Sequence, residues 1–236
     1  MNTLLPYFAQ VPMLAALSDE TQGKLERTAE QRQYRRRQVI HFPDQSADSV
    51  YLLCDGRVKL SRVSDQGREV TLYLIENNGI FGEAGLIGQN QTYDMMSETL
   101  QDSHVVVFKR AELANALSGS PAATHQLLTL INERRGAAES AIADLIFLEV
   151  PKRLAKLLIR LNDSHGSKSG RNGNLIKAKF THQELANMIG STRETTTLIL
   201  NEFKRQGVLD FAGRRIVVKE TGQLEEIMRS GTVKNS

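Results

Sequence analysis

The sequence is poor in cysteine and contains no long apolar run. Its single cysteine, Cys54, excludes an internal disulfide and cannot supply a four-thiolate iron–sulfur site. No apolar segment reaches the roughly 18–20 residues that a membrane-spanning helix needs, and the N-terminal stretch is too interrupted by polar residues for a signal peptide. We therefore expect a cytoplasmic protein that makes no contact with a membrane.

Residues with the spacing of a metal or catalytic site are also missing. The histidines show neither an i,i+4 pair nor a His-x-His pair, so we expect no metal site. Cys54 follows apolar neighbours, which favours a core thiol over a haem ligand or a redox switch. Because no nucleophile–base pair or phosphate-binding loop is recognisable either, the sequence does not indicate an enzyme.

Charge is distributed unevenly along the 236 residues. Residues 1–149 carry 14 Lys and Arg against 19 Asp and Glu, whereas residues 150–236 carry 16 against 8. The hydrophobic share of 40% is that of a globular protein, and the length suits two ordinary domains or one large one. The basic C-terminal part predicts contact with a polyanion, and a merely solvated basic face is the alternative.

Two patterns of apolar residues divide the chain. Up to about residue 110, short alternating segments with turns at Asp55-Gly56 and Gln66-Gly67 predict an antiparallel sandwich or barrel. From Pro121 the spacing becomes helical. It indicates either a helix packed on its own sheet or a parallel coiled coil that forms a homodimer. The predicted seam consists of Leu128, Ile131, Ala138, Ile142 and Leu145, interrupted by Arg135.

A break in the helical pattern separates this helix from the basic part. Pro151 suits the first turn of a new helix, so we expect a hinge at 148–150. Residues 162–173 have the composition of a flexible loop. The predicted domains are residues 1–120, a dimerisation helix at 121–148, and a basic domain at 149–236.

The segment "THQELANMIGSTRETTTLILNEFKRQGVL" predicts a helix-turn-helix. Thr181 and Glu184 form a capping box, Gly190 supplies the turn, and the second helix begins after Ser191 or Thr192. The exposed positions near its start reach base edges in such a motif, and they are Arg193, Glu194, Thr197 and Leu198. In the alternative interpretation, Glu194 folds back onto Ser191 as a second capping box.

Two short strands follow, joined at Ala212-Gly213. They predict a wing that presents Arg214 and Arg215 to DNA phosphates.

The order of these parts resembles the CRP/FNR superfamily of bacterial transcription regulators. The likeness covers nearly the whole chain and rests on "VYLLCDGRVKLSR", "IFGEAGLIG", "FLEVPKRLAKLL" and the helix-turn-helix segment. The resemblance implies an α+β fold, with an N-terminal antiparallel β-roll like a cyclic-nucleotide-binding domain, a long dimerisation helix and a C-terminal winged helix-turn-helix. It also implies a homodimer that binds an inverted repeat in double-stranded DNA and contacts RNA polymerase. Residues 64–69 and 162–173 are candidates for the polymerase contact, and a solvated linker is the alternative for both segments.

By the same resemblance, Arg193 would face a guanine and Glu194 would accept from a cytosine. Leu198 stands where the cyclic-AMP-responsive members have a second base-reading arginine, which predicts a changed half-site. His182 stands where a cation is usual, so its contact is expected to be weaker or sensitive to pH. The expected phosphate-contacting residues are Thr181, His182, Thr192, Thr195, Arg214 and Arg215.

The sensor half departs from the cyclic-AMP-responsive pattern. Tyr93-Asp94 aligns with the Arg-Ser pair that holds the ligand phosphate, and Ala138-Glu139 aligns with the Thr-Ser pair that reads adenine. Losing these partners costs on the order of 3–5 kcal/mol, which disfavours cyclic AMP. Another small effector stays open, with Glu83, Tyr93, Asp94 and Glu139 as its candidate pocket. An anionic effector would need Arg134, Arg135 or backbone amides, and the two arginines are expected instead to be salt-bridged across the dimer.

These features predict a homodimeric, DNA-binding transcription regulator that does not depend on cyclic AMP. The alternative is a β-roll sensor module that controls a partner protein without binding DNA. Intact Arg193 and Glu194 argue against that alternative, because a module that had lost DNA binding would have a degraded second helix.

Overall fold

The computed structural model describes residues 3–87, 92–168 and 173–230. These residues divide into two compact units. One contains the residues up to 68 together with residues 72–138, and the other contains residues 69–71 together with the residues from 139 onward. Within the described ranges, no helix has the length and apolar character to cross a membrane.

The N-terminal unit contains an antiparallel β-roll, as predicted. Its strands form two four-stranded sheets with the orders β1-β8-β3-β6 and β2-β7-β4-β5. The strands are β1 Glu30–Tyr34, β2 Val39–His41, β3 Ser49–Asp55, β4 Val58–Val63, β5 Glu69–Ile75, β6 Gly79–Phe81, β7 Met96–Thr99 and β8 Ser103–Lys109.

Strand β3 is buried on both faces, which explains why its sequence is almost continuously apolar. Leu52 and Cys54 belong to a core shared with the helices, whereas Tyr51 and Leu53 belong to a core inside the roll. Successive side chains of a strand point to opposite faces, so the two sets serve two cores. Burial raises the pKa of the Cys54 thiol to about 11, so it stays protonated.

Helices pack on the outside of this sheet and lead into the long helix. Phe8, Leu14, Leu25 and Leu113 bury their side chains in the shared core. The helices are α1 Leu5–Phe8, α2 Pro12–Ala15, α3 Asp19–Thr28, α4 Arg110–Ser118 and α5 Pro121–Phe147, with a 3-10 turn at Glu83–Leu86.

The predicted seam of α5 is exposed in part. Leu128 is 55% exposed, Ile142 57% and Leu145 44%. Ile131 packs against the core of the N-terminal unit, and Ala138 is half-buried. Arg135 is exposed and donates to Asn132 on the same helix at 3.1 Å. Leu128, Ile142 and Leu145 therefore keep a large share of their apolar surface exposed in the single chain.

The C-terminal unit is a winged helix-turn-helix domain, again as predicted. Pro151 lies in the first turn of its first helix, which begins after a two-residue break at the end of α5. Its elements are α6 Val150–His165, β9 Gly166–Lys168, β10 Asn174–Ile176, α7 His182–Ile189, α8 Arg193–Arg205, β11 Leu209–Ala212, β12 Arg215–Val218 and α9 Thr221–Ser230.

The prediction of a flexible loop at 162–173 is wrong for its first part. Helix α6 continues to His165, and β9 pairs antiparallel with β10, which places Gly166 opposite Ile176. The polar composition hid this because Leu158 and Leu161 anchor the end of the helix from a few residues upstream. Residues 169–172 of the predicted loop lie outside the described residues.

Candidate nucleic-acid interface

The first helix of the helix-turn-helix is capped by its own side chains. Thr181 Oγ1 accepts from the N–H of Glu184 at 3.1 Å, and the Glu184 carboxylate accepts from the N–H of Thr181 at 2.7 Å. These bonds satisfy N–H groups that have no partner within α7. The predicted capping box is confirmed, and the Thr181 hydroxyl keeps its hydrogen to donate elsewhere.

Gly190 makes the turn between the two helices, for two physical reasons. Its backbone is left-handed, with φ +60° and ψ 48°, a conformation in which side chains are strained. A Cβ atom there would also lie 2.6 Å from Cδ2 of Leu145. Leu145, a predicted seam residue, therefore also packs against the turn.

Thr192 caps the second helix and leaves Glu194 unengaged. Thr192 Oγ1 accepts from the N–H of Thr195 at 3.1 Å and donates to Thr195 Oγ1 at 3.0 Å. Glu194 is the second residue of α8, and it makes no hydrogen bond or ion pair with any residue that the structure describes. The second capping box with Ser191 is not formed, so that alternative is wrong.

The outer face of α8 carries three of the four predicted base-reading residues. Thr196, Leu200 and Phe203 are buried and anchor the opposite face. Arg193 and Glu194 are exposed at the N-terminal end, and Leu198 is 71% exposed one turn later. A leucine that is this exposed contributes little to stability, because most of its apolar surface stays in water.

His182 and Thr197 were predicted as separate DNA contacts, but the structure joins them. His182 Nδ1 lies 2.8 Å from Thr197 Oγ1, whose hydroxyl donates to the Arg193 carbonyl at 2.7 Å. Since that hydroxyl hydrogen is committed, the imidazole is the donor through Nδ1–H, so Nε2 of the neutral ring is an acceptor and can donate only when the ring is protonated. Burial, and then the charge of Arg193, lower the pKa of His182.

The wing presents Arg214 and Arg215, both exposed beside Gly213. At its base, Asp210 pairs with Lys204 at 3.1 Å and with Lys219 at 3.3 Å. The N–H of Phe211 and these two lysines lower the pKa of Asp210 to about 2. Sequence reasoning missed this cluster, because nothing in the sequence pattern indicates that the three residues meet.

Of the four residues in the candidate effector pocket, Tyr93 is a core residue. Its hydroxyl donates to the Ser49 carbonyl at 2.8 Å, and its ring stacks on His41 with 3.8 Å between centroids. Burial lowers the pKa of His41 to about 4, so this imidazole is neutral at physiological pH.

Glu83 is buried and forms an ion pair with Arg134 of α5. Arg134 also donates to the Ile80 carbonyl, and its own carbonyl accepts from the Tyr73 hydroxyl at 3.0 Å. The guanidinium carbon lies 5.6 Å from the centre of the Tyr73 ring, within the range of a cation–π contact. Arg134 is therefore paired inside its own chain, and the expected pairing across a dimer is wrong for this residue.

The remaining two pocket candidates are exposed. Asp94 pairs with Arg62 at 3.2 Å, and Glu139 lies on the outer surface of α5. No cluster of three or more His, Cys, Asp or Glu with the geometry of a metal site occurs in the described ranges.

Comparison with known proteins gives matches over most of the chain. A cyclic nucleotide-binding domain matches residues 31–120, and a Crp-like helix-turn-helix domain matches residues 152–227. The Global nitrogen regulator of Synechococcus elongatus is 32% identical over 198 residues, covering 83% of this chain and 87% of that protein. A CRP-like cAMP-activated global transcriptional regulator of Mycobacterium tuberculosis is 27% identical over 187 residues, covering 79% and 82%.

Solved structures share the fold. A CooA mutant from Carboxydothermus hydrogenoformans superposes with a TM-score of 0.75 at 23% identity, covering 89% of this chain and 92% of that one. FixK2 from Bradyrhizobium japonicum gives 0.74 at 22%, covering 84% and 96%. A β-roll followed by a helix-turn-helix defines a class of transcription regulators that bind DNA and are not enzymes. Within that class, the chain belongs to the CRP/FNR family.

Proposed function

We propose that the protein works as a homodimer that binds an inverted repeat and needs no cyclic AMP. The observation that carries the DNA-binding part is the start of α8. Arg193 and Glu194 are exposed there, while Thr196, Leu200 and Phe203 hold the helix by its opposite face. Arginine pairs with guanine O6 and N7, and glutamate accepts from cytosine N4, so this pair suits one G·C base pair in each half-site.

The exposed seam of α5 supports the dimer. Leu128, Ile142 and Leu145 leave 44–57% of their surface in water, although their spacing is that of a coiled-coil seam. Pairing two such helices buries these side chains and places two recognition helices for half-sites about one DNA turn apart.

The surroundings of Asp94 and Arg134 support independence from cyclic AMP. Asp94 is a carboxylate at the position expected to meet the ligand phosphate, and two negative groups repel each other. Arg134, a candidate cation for an anionic effector, is already paired with buried Glu83. Binding an anion through Arg134 would require breaking that pair, and leaving a carboxylate buried alone is costly.

A contact with RNA polymerase follows from the family's mode of action. The turn at residues 64–69 suits it because residues 64–68 are exposed and its shape is defined. The N–H of Ser64 donates to the Arg68 carbonyl at 2.9 Å, and the N–H of Gly67 donates to the Ser64 carbonyl at 2.8 Å. Transcription in vitro with R68A tests this contact: reduced transcription with unchanged DNA affinity is expected, and unchanged transcription contradicts it.

Fluorescence anisotropy of the purified protein tests the main proposal. The labelled duplex carries an inverted GTG/CAC-type repeat, a scrambled duplex is the control, and both are measured at the same near-physiological salt. A preference of at least a hundredfold without any ligand, roughly 2.7 kcal/mol, is expected. A preference that emerges only when cyclic AMP is added contradicts the ligand-free part, and the absence of binding at low salt contradicts the proposal as a whole.

Two variants separate base reading from general charge. R193A is expected to lose most of the preference, whereas R160A removes the same charge from an exposed site on α6. R160A should keep the preference and change at most the salt dependence, by about one unit of slope or less.

A further inference from the structure

The outward face of α8 continues beyond Leu198. Positions 194, 198, 201 and 205 are spaced by four, three and four residues, which puts them on one side of a helix with 3.6 residues per turn. All four are exposed, and they lie opposite the buried residues Thr196, Leu200 and Phe203. Asn201 therefore lies in the middle of the surface that Glu194 and Leu198 begin.

The polar neighbours of Asn201 are engaged in other contacts. Arg205 pairs with Glu202, and Lys204 pairs with Asp210 at the base of the wing. The Thr197 hydroxyl bonds to His182 and to the Arg193 carbonyl. The Asn201 side chain has no hydrogen-bond partner in the part of the chain that the structure describes.

Helix stability does not explain an asparagine at this position. Asn201 is the ninth residue of α8, so it caps neither end of the helix. In a helix interior, asparagine is less favourable than alanine, since its side chain competes with the backbone for hydrogen bonds. A residue that gains nothing locally and points outward on this face is explained by what the face binds.

We infer that Asn201 is a further specificity-determining residue, and that its side-chain amide reads an adenine in the major groove. The inference rests on the proposed DNA binding through α8. An asparagine amide offers one acceptor and two donors, and this set matches N6 and N7 of adenine in a bidentate contact. A thymine methyl beside the adenine would pack against Leu198, one turn earlier on the same face.

Helix geometry sets the expected position of this adenine. Asn201 follows Glu194 by seven positions, a rise of roughly 10 Å. Stacked base pairs are about 3.4 Å apart, so the two side chains contact bases about three steps apart when the helix lies along the groove. Each half-site is therefore expected to contain an A·T pair about three steps from the G·C pair read by Arg193 and Glu194.

A contact to phosphate is the competing role for the same amide, and the two roles predict different results. A phosphate contact positions the protein without reading sequence. Its loss weakens binding to every duplex by the same factor, whereas the loss of a base contact removes the preference at one position only.

Selection from random duplexes tests the inference, with the full-length chain as wild type, N201A and N201R. Wild type is expected to select adenine at the stated position, and N201A to lose that preference by about tenfold while keeping the G·C pair. N201R should change the preference to guanine, which arginine reads through O6 and N7. N115A makes the same change at an exposed site on α4 and should leave the selected sequence unchanged.

The outcomes distinguish this inference from the proposed function. If wild type selects no sequence, the DNA-binding proposal fails. If wild type selects a repeat and N201A selects the same one, with or without a uniform loss of affinity, the role of Asn201 in base reading is wrong.

Discussion

Arg153 on α6 donates a hydrogen bond through Nε to the carbonyl of Ile189, the last residue of α7, at 2.8 Å. The same guanidinium donates to the carbonyl of Leu148, just after α5, at 2.7 Å, and to that of Gly190 at 3.4 Å. Carbonyls at helix ends have no partner within the helix, and an arginine can supply one. One side chain thus holds the end of the long helix to the turn of the helix-turn-helix.

Removing this arginine is expected to disturb both stability and DNA binding. R153M leaves three carbonyls without their donor and should lower the free energy of unfolding by about 2 kcal/mol in urea titrations. Because the turn then loses its fixed position beside the end of α5, affinity for the repeat should fall by about tenfold. R160M is the matched control on the same helix, and an equal effect of the two variants would contradict this role.

The Glu83–Arg134 pair is expected to behave as a coupled unit. Only 8% of the Glu83 side chain and 12% of the Arg134 side chain are exposed, so R134M strands a buried carboxylate and should cost about 3–5 kcal/mol of unfolding free energy. The double variant E83Q/R134M should recover part of that loss. Chemical denaturation of wild type, E83Q, R134M and the double variant measures the coupling, and strictly additive losses would show that the pair does not act as a unit.

His41 should make the protein sensitive to acid. Burial lowers its pKa to about 4 in the folded protein, whereas a histidine that is not buried, as in the unfolded chain, has a pKa of 6.5. The unfolded chain therefore binds more protons between these values, so stability is complete above pH 6.5 and falls as the pH drops towards 4.

The expected loss between pH 7.5 and pH 5 is about 2 kcal/mol for wild type. H41F keeps a ring to stack on Tyr93 and removes this titration, so its unfolding free energy should depend less on pH over the same range. Urea titrations at the two pH values measure the difference. Identical pH dependence in both proteins would mean that His41 is not the group responsible.

His182 should couple DNA binding to proton uptake. Burial and the charge of Arg193 lower its pKa in the free protein, whereas a phosphate near Nε2 favours the imidazolium. The complex then binds more protons than the free protein, so affinity should rise as the pH falls from 7.5 to 6.

Anisotropy titrations at fixed salt measure this effect. Wild type should gain about fivefold more affinity than H182Q over that range. Circular dichroism at pH 6 checks that protonation of His41 has not begun to unfold the protein. An equal gain for both proteins would remove His182 as the source of the proton uptake.

Local sequence signals were enough to predict the DNA-binding domain and the order of the domains along the chain. Thr181 and Glu184 act within one helical turn, and Gly190 meets a backbone requirement of its own position. The short apolar segments between turn residues likewise predict strands such as β3. These features depend on residues close in the chain, so their patterns can be recognised without knowing what packs against them.

Contacts between distant residues were decided by the tertiary structure alone. Arg134 meets Glu83 from 51 positions away, and His182 meets Thr197 from 15 positions away. Similarly, the polar segment after Leu161 reads as a loop until Gly166 finds a partner strand at Ile176. The sequence determined most of the elements and predicts which face of α8 meets DNA. Which side chains on that face are engaged within the protein, and which, like Asn201, have no hydrogen-bond partner among the described residues, depends on packing that brings separate elements within hydrogen-bond distance.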